Sequence, residues 1–277
     1  MFGAHISIIG NDLIKACNVI TFLGGNVMQI FLHSPKRYHG NVSNLLEKSL
    51  GIKGLLRSSL KIFNHSAYVL NLARDSVDPI AVKSRNSVLE DLKNCDLLGA
   101  AGTVIHCGKS LNLTEEQGID NMYQNISMIL EQFNGYSKLI IETSTGQGSE
   151  VCSKFEQLAK LYHKFNESEK SKIAFCIDTC HISSSGYSLE TEESTNAVFE
   201  EFNKLIGLHN VILIHFNDSV GPCNCKVDRH APLLEGSIPE EGLKTVVKIA
   251  VSRNIPLVLE TGGDYQQEIG LMKLWAS

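Results

Sequence analysis

Residues 172–181, KIAFCIDTCH, contain one apolar β-type run, Ile173–Asp178, that closes on a carboxylate and is followed three residues later by a histidine. An uninterrupted apolar run of that length is typical of a strand covered on both faces, as in a parallel sheet. The same pattern recurs on either side. Leu60–His65, Thr103–His106, Lys138–Glu142, Val211–His215 and Pro256–Glu260 also end on an imidazole or a carboxylate. With Phe2–His5 and Val27–Leu32 there are eight such runs. Between them lie amphipathic or helix-rich stretches at Asn11–Phe22, Asn41–Arg57, Asp78–Leu98, Thr114–Phe133, Ser153–Asn166, Thr191–Ile206 and Glu240–Ser252. Strand and helix alternate at roughly 35 residues per unit, which predicts an α/β protein, a single-domain (β/α)8 TIM barrel. That domain would span residues 1–277. A doubly wound sheet is the competing architecture, but no GxGxxG follows an early strand. The nearest phosphate-loop string, GTVIHCGKS (102–110), has five residues between its glycines where that loop needs four.

Composition narrows the function classes. At 277 residues, 43% hydrophobic and 20% charged, the chain is neither disordered, collagenous nor a coiled coil. No apolar stretch approaches the roughly 20 residues that cross a bilayer, so no membrane role is expected. Met1–Ser7 reads as a strand with no basic start before it, so the chain is expected to begin at Met1 without a signal peptide. Cysteines at 17, 95, 107, 152, 176, 180, 223 and 225 lack paired knuckle spacing and predict an intracellular, reducing compartment. The formal charge of −5 argues, taken alone, against a nucleic-acid partner.

The six ionisable strand ends decide the chemistry. His65, His106, Glu142, Asp178, His215 and Glu260 are separated by 41, 36, 36, 37 and 45 residues, one βα unit each. In a barrel the C-terminal strand ends surround one mouth, so all six converge there. A single such residue is more often a cap or a hydrogen-bonded rim group. Six in succession would repel one another and lose hydration, and bound cations are the simplest remedy. His181, three residues after Asp178, and Asp228 with His230, two apart in VDRH, extend the set. A solvated loop ion pair between Asp228 and Arg229 is the plainer reading of the last group. Five imidazoles and four carboxylates suit zinc and would serve two or three ions. Cys176, Cys180, Cys223 and Cys225 are read as packing or loop residues, His33, His39, His163 and His209 as surface or capping residues. His5 is expected to line the mouth without acting as a ligand, and Gln147 to pack near the cations.

These residues sit in a series of strings that resembles the endonuclease IV family of apurinic/apyrimidinic endonucleases. The strings are GAHIS (3–7), FNHSAYVLN (63–71), IETSTGQGS (141–149), CIDTCHISSSGY (176–187), HFND (215–218), VDRHAPLLEGSI (227–238) and LVLET (257–261). The likeness covers nearly the whole chain. It implies a (β/α)8 barrel with three zinc ions: the first held by His65, His106 and Glu142, the second by Glu142, Asp178, His215 and Glu260, the third by His181, Asp228 and His230. Glu142 would bridge two ions, and Glu260 would be both ligand and catalytic group. The implied substrate is duplex DNA lacking a base, cut on the 5′ side of the lesion as a step of base excision repair, in the nucleus or the cytoplasm. The protein is expected to be a monomer. Three zinc ions would bring the formal charge close to neutrality and concentrate positive potential at the site. Recognition of a missing base calls for wedges that open the duplex. By resemblance these come from the basic loop HSPKRYHG (33–40), through Lys36 or Arg37, and from Tyr68 with Val69. The chain departs from the family pattern at Cys107, where a proline is usual, at ETST (142–145) for ENTA, and at LLEG (233–236) for LGEG. A sugar isomerase of the xylose isomerase type is the alternative on the same barrel, but it has no need of His181, Asp228 and His230. A catalytically silent DNA-binding barrel is the other class.

Overall fold

The computed structural model describes residues 1–8, 12–40, 42, 45 and 60–277. Ten strands are described in chain order: β1 (Phe2–His5), β2 (Val27–Ile30), β3 (Lys61–His65), β4 (Gly102–Ile105), β5 (Lys138–Glu142), β6 (Ile173–Asp178), β7 (Val211–His215), β8 (Asp218–Ser219), β9 (His230–Ala231) and β10 (Leu257–Leu259). Eight of them close a parallel barrel in the order β1-β10-β7-β6-β5-β4-β3-β2, while β8 and β9 pair as an antiparallel ribbon beside it. The barrel strands are the eight expected runs, with ends moved by one or two residues.

Alternation along each strand builds two layers inside the barrel. Val27, Phe63, Val104, Ile140, Cys176, Leu213 and Val258 form one enclosed apolar cluster. Their neighbours Met28, Ile62, Ile105, Ile141, Phe175, Ile177, Ile214 and Leu259 belong to the larger core between barrel and helices. Side chains two residues apart on a strand share a face. Directly above the apolar plug therefore come Gln29, His65, His106, Glu142, Asp178, His215 and Glu260. Gly3 pairs with Val27 and Val258, and His5 pairs with Gln29, which adds the eighth strand to both layers. The apolar plug offers the polar ring no hydrogen-bond partner from below, so its side chains are satisfied by one another, by neighbouring loop groups or by something bound at the mouth.

Helices wrap the outside: α1 (Leu13–Phe22), α2 (Pro79–Leu98), α3 (Glu115–Gln132), α4 (Phe155–Lys164), α5 (Glu167–Lys170), α6 (Thr179–Ser185), α7 (Glu192–Leu205), α8 (Glu240–Ser252) and α9 (Tyr265–Trp275). Their expected limits were cap residues. Asp78 accepts from the Ile80 N–H before Pro79 opens α2, and Gly99 at φ 78° ends it. Thr114 with Gln117, and Thr191 with Ser194, cap α3 and α7. Helices α5, α6 and α9 and the β8–β9 ribbon were not expected. The α6 segment, TCHISSS, is short and buried throughout, so it carries no amphipathic period to read. The expected helix at Asn41–Arg57 lies almost entirely outside the described residues.

Candidate metal centre

Glu142, at the end of β5, sits at the middle of the polar ring. Its Oε2 lies 3.4 Å from His65 Nε2 and 3.2 Å from His106 Nε2, and its Oε1 lies 2.8 Å from His215 Nδ1. His215 Nδ1 also faces Glu260 Oε2 at 3.2 Å and Asp178 Oδ2 at 3.8 Å. Around the rim, Asp228 Oδ1 is 3.2 Å from His181 Nε2 and 3.5 Å from His230 Nε2, which is itself 3.4 Å from Asp178 Oδ2. All nine expected residues are thus in one cluster. The donor atoms of His65, His106 and Glu142 lie within 4.8 Å of one another, as do those of Glu142, Asp178, His215 and Glu260. Around His230 two sets meet that spacing, Asp178 with His181 and Cys180 with Asp228.

The side chains fit a cation better than they fit one another. Glu142 Oε2, His181 Nε2 and His230 Nε2 are buried and make no hydrogen bond among the described residues, although each has a charged neighbour close by. Leaving such atoms unpaired costs about 1–3 kcal/mol apiece, more when charged. A divalent ion removes that penalty, and a set of imidazole nitrogens and carboxylate oxygens suits zinc.

Neighbouring groups choose which atom each ligand presents. His65 Nδ1 donates to the Ser66 carbonyl at 2.7 Å and His181 Nδ1 to the Thr143 carbonyl at 2.8 Å, leaving Nε2 free in both. Asp178 closes β6 and also caps α6, its Oδ1 accepting from the His181 N–H at 2.9 Å. One residue therefore fixes the strand-to-helix turn that carries His181. Asn217 donates to Asp178 Oδ2 at 2.7 Å and accepts from the Glu260 N–H at 2.8 Å. Asp218 gathers the N–H groups of Ser219, Leu234, Gly236 and Ile238, shaping the loop after β9. Leu234 in that loop has φ 70°, the left-handed region that the glycine of the family pattern would occupy without strain. Cys107, a second departure, is buried and donates to the Glu142 carbonyl at 3.1 Å.

Burial disfavours the charged form of every group here, and the neighbours decide which outcome wins. For His65 burial prevails and lowers the imidazole. Against the same penalty, Glu142 holds His106 above its ordinary value. Asp178 and Asp228 hold His181 well above it, and Cys176, Glu260 and Glu142 do the same for His215. Burial would raise Glu142 and Glu260, but His215 holds both below the carboxylate range. Burial also opposes ionisation of Asp228, yet His181 pulls it down to about 2. The carboxylates of Glu142, Glu260 and Asp228 are thus biased toward the ionised form and the imidazoles of His106, His181 and His215 toward the protonated form, so an incoming cation competes with protons. Zinc titration near pH 7 is expected to release protons, and more of them as the pH falls and His65 also becomes charged. Calorimetry in two buffers of different ionisation enthalpy measures this, and zinc uptake with no proton release would contradict the assignment.

The mouth opens into a cavity of about 460 Å³ lined by ligands and by Tyr68, Lys109, Gln147, Glu150 and Thr261. Gln147 is exposed at its edge. Tyr68, 57% exposed, stands edge-on to His65 and His106, and Val69 is exposed beside it. Lys36 and Arg37 are exposed on the loop after β2. The two loops form one rim, because the Tyr68 N–H donates to the Pro35 carbonyl at 2.9 Å and the Tyr38 hydroxyl to the Val69 carbonyl at 3.1 Å. His33 corrects its expected surface role. Its side chain is buried, with Nε2 3.2 Å from Asp91, whose other oxygen accepts from Ser66 Oγ at 2.7 Å. That pair ties the rim loop to α2. His39 and His163 are at the surface as expected, paired with Glu90 and with the Leu205 carbonyl. His5 lines the mouth against Gln29 and Glu260. Gln29 was missed. It precedes the end of its apolar run, so only its position two residues beyond the inward-facing Val27 could have revealed it.

Comparison with known proteins agrees with the barrel fold. Residues 22–274 match the xylose isomerase-like TIM barrel family. An endonuclease 4-type protein of Acanthamoeba polyphaga mimivirus is 34% identical over 99% of this chain and 92% of its own. The crystal structure of endonuclease IV from Thermus thermophilus superimposes with a TM-score of 0.83 at 28% identity, covering 99% of this chain and 98% of that one. A D-tagatose 3-epimerase-like protein also superimposes over 99% of this chain and 96% of its own, with a TM-score of 0.73, but at 17% identity that likeness shows the fold alone. Identity and coverage on this scale place the chain in the endonuclease IV family of xylose isomerase-like TIM barrels.

Proposed function

We propose that this protein is a zinc-dependent DNA repair endonuclease that hydrolyses the phosphodiester 5′ to an abasic site in duplex DNA, leaving a 3′-hydroxyl and a 5′-deoxyribose phosphate. The observation that carries the reading is the convergence of nine side chains, three of them with buried ligand atoms that no described residue hydrogen-bonds. His65, His106 and Glu142 would hold one ion, Glu142, Asp178, His215 and Glu260 a second, and His181, Asp228 and His230 a third. When bound, zinc supplies Lewis acidity, which offsets the charge of the phosphodiester and eases ionisation of water. The chain's own residues do the rest. Glu142 and Glu260 keep the site anionic enough to retain cations, and Glu260, which lines the mouth cavity, orients the nucleophile. The apolar plug below excludes bulk water. Lys36, Arg37, Tyr68 and Val69, on one hydrogen-bonded rim, are the groups that meet DNA, with Tyr68 standing edge-on to His65 and His106. The protein works as a monomer, inside the cell where DNA is maintained.

The second reading is a sugar isomerase or epimerase, favoured by the barrel's likeness to an epimerase-like structure. The rim group of His181, Asp228 and His230 argues against it. The test is a zinc-loaded sample incubated with a duplex bearing one stable abasic analogue and with its undamaged twin. Nicking confined to the damaged strand, 5′ to the lesion, is expected, together with about three zinc ions per chain by elemental analysis. Indifference to both duplexes would refute the nuclease reading. One or two ions and turnover of a ketose would support the isomerase.

A further inference from the structure

We infer that Gln29, a residue outside the ligand set, is the positioning residue that selects the ligand atoms of His215 and Glu260; this rests on the metal reading proposed above. Its side chain lies in the middle of β2, fully buried, in the same inward layer as the ligands. Its carboxamide makes three hydrogen bonds. The Oε1 lies 2.8 Å from His215 Nε2, while the Nε2 donates to Glu260 Oε1 at 2.6 Å and to His5 Nδ1 at 3.1 Å. The orientation of the amide follows from its surroundings. A carboxylate can only accept, so the NH2 group must face Glu260, and the carbonyl must then face His215.

Two consequences follow for the cluster. With Gln29 Oε1 as acceptor, the proton of His215 is held on Nε2, and Nδ1 is left to face Glu142, Asp178 and Glu260. His65 and His181 show the opposite arrangement, since both donate from Nδ1 to a backbone carbonyl and present Nε2. His215 is thus the histidine whose ligand atom depends on a side-chain amide rather than on a backbone carbonyl. On the other flank, engaging Glu260 Oε1 leaves Oε2 as the oxygen turned toward His215 Nδ1. One amide on β2 therefore orients two ligands of the same ion, carried by β7 and by the end of β10, 231 residues from Glu260 in the chain.

The experiment compares Gln29→Met, which keeps the length and removes every hydrogen bond, with Gln29→Glu, which keeps an acceptor for His215 and turns a like charge on Glu260. Zinc affinity is measured by competition with a chromophoric chelator. The His215 Nε2–H resonance is followed in zinc-loaded protein labelled with ¹⁵N-histidine, and melting temperature monitors the fold. Gln29→Met is expected to weaken zinc binding about 10–100-fold and to lose the protected Nε2–H resonance. Gln29→Glu should retain that resonance while still binding zinc less tightly than wild type. Turnover on abasic duplex should fall in both with little change in KM, because DNA is not contacted. Wild-type zinc affinity and an unchanged His215 resonance in Gln29→Met would overturn the inference while leaving the metal reading intact. A wild-type protein that binds no zinc would overturn both. If Gln29→Met fails to fold, Gln29→Glu decides alone, and a lost Nε2–H resonance in that variant counts against the assignment.

Discussion

Replacing Glu260 by glutamine is expected to reduce turnover on abasic duplex by on the order of a thousandfold, with folding retained and KM little changed. Glu260 is held at three points. Gln29 donates to Oε1, Asn217 receives the backbone N–H, and Oε2 faces His215 Nδ1. Glutamine matches its size, so the packing above Leu259 survives. It brings a neutral group whose NH2 cannot serve as a ligand and which must turn either toward the donor Gln29 or toward the cations. Both orientations spoil one contact. The negative charge that the cluster places opposite its imidazoles is lost as well, so zinc affinity should weaken in parallel. Single-turnover nicking with saturating zinc separates the two effects. Activity within tenfold of wild type under those conditions would remove Glu260 from its assigned role.

Gly3→Ala should damage the barrel itself. A Cβ built at Gly3 would lie 1.6 Å from the Val27 carbonyl oxygen and 2.6 Å from its carbon, both backbone atoms of the adjacent strand β2. No rotamer change relieves a clash with main chain, so β1 must move away from β2, to which it is paired through Gly3, Ala4 and His5. Overpacking of this kind costs about 3 kcal/mol or more, which corresponds to a fall in melting temperature of roughly 10 °C for a domain of this size. The displacement would carry His5 with it and loosen its contact with Gln29, so zinc binding should suffer too. A thermal melt decides the matter: a midpoint within about 2 °C of wild type would show that the strands separate at little cost.

Most of the architecture was legible because each barrel strand is covered on both faces and is therefore mostly apolar up to its C-terminal end. Such runs stand out from amphipathic helices, and cap residues such as Asp78, Thr114 and Thr191 marked the helix starts within a residue or two. The helix at Thr179–Ser185 was not legible, since a segment buried on every side has no polar face to set a period. His33 misled for a related reason. It belongs to a basic loop and reads as solvated, yet Asp91, on a helix far along the chain, draws it inward. Nothing local to either residue announces that pairing.

What the amino-acid order determined by itself is the ring of ligand types, because strand period and unit length force a polar residue onto the same barrel level about every 35–45 residues. His65, His106, Glu142, Asp178, His215 and Glu260 meet for that reason alone. Which atom each one presents was decided only in three dimensions. Gln29, Asn217, Thr143 and Ser66 hold the tautomers and carboxylate oxygens through hydrogen bonds. Such bonds depend on distances of a few ångström between residues remote in sequence, and no spacing rule along one chain contains them.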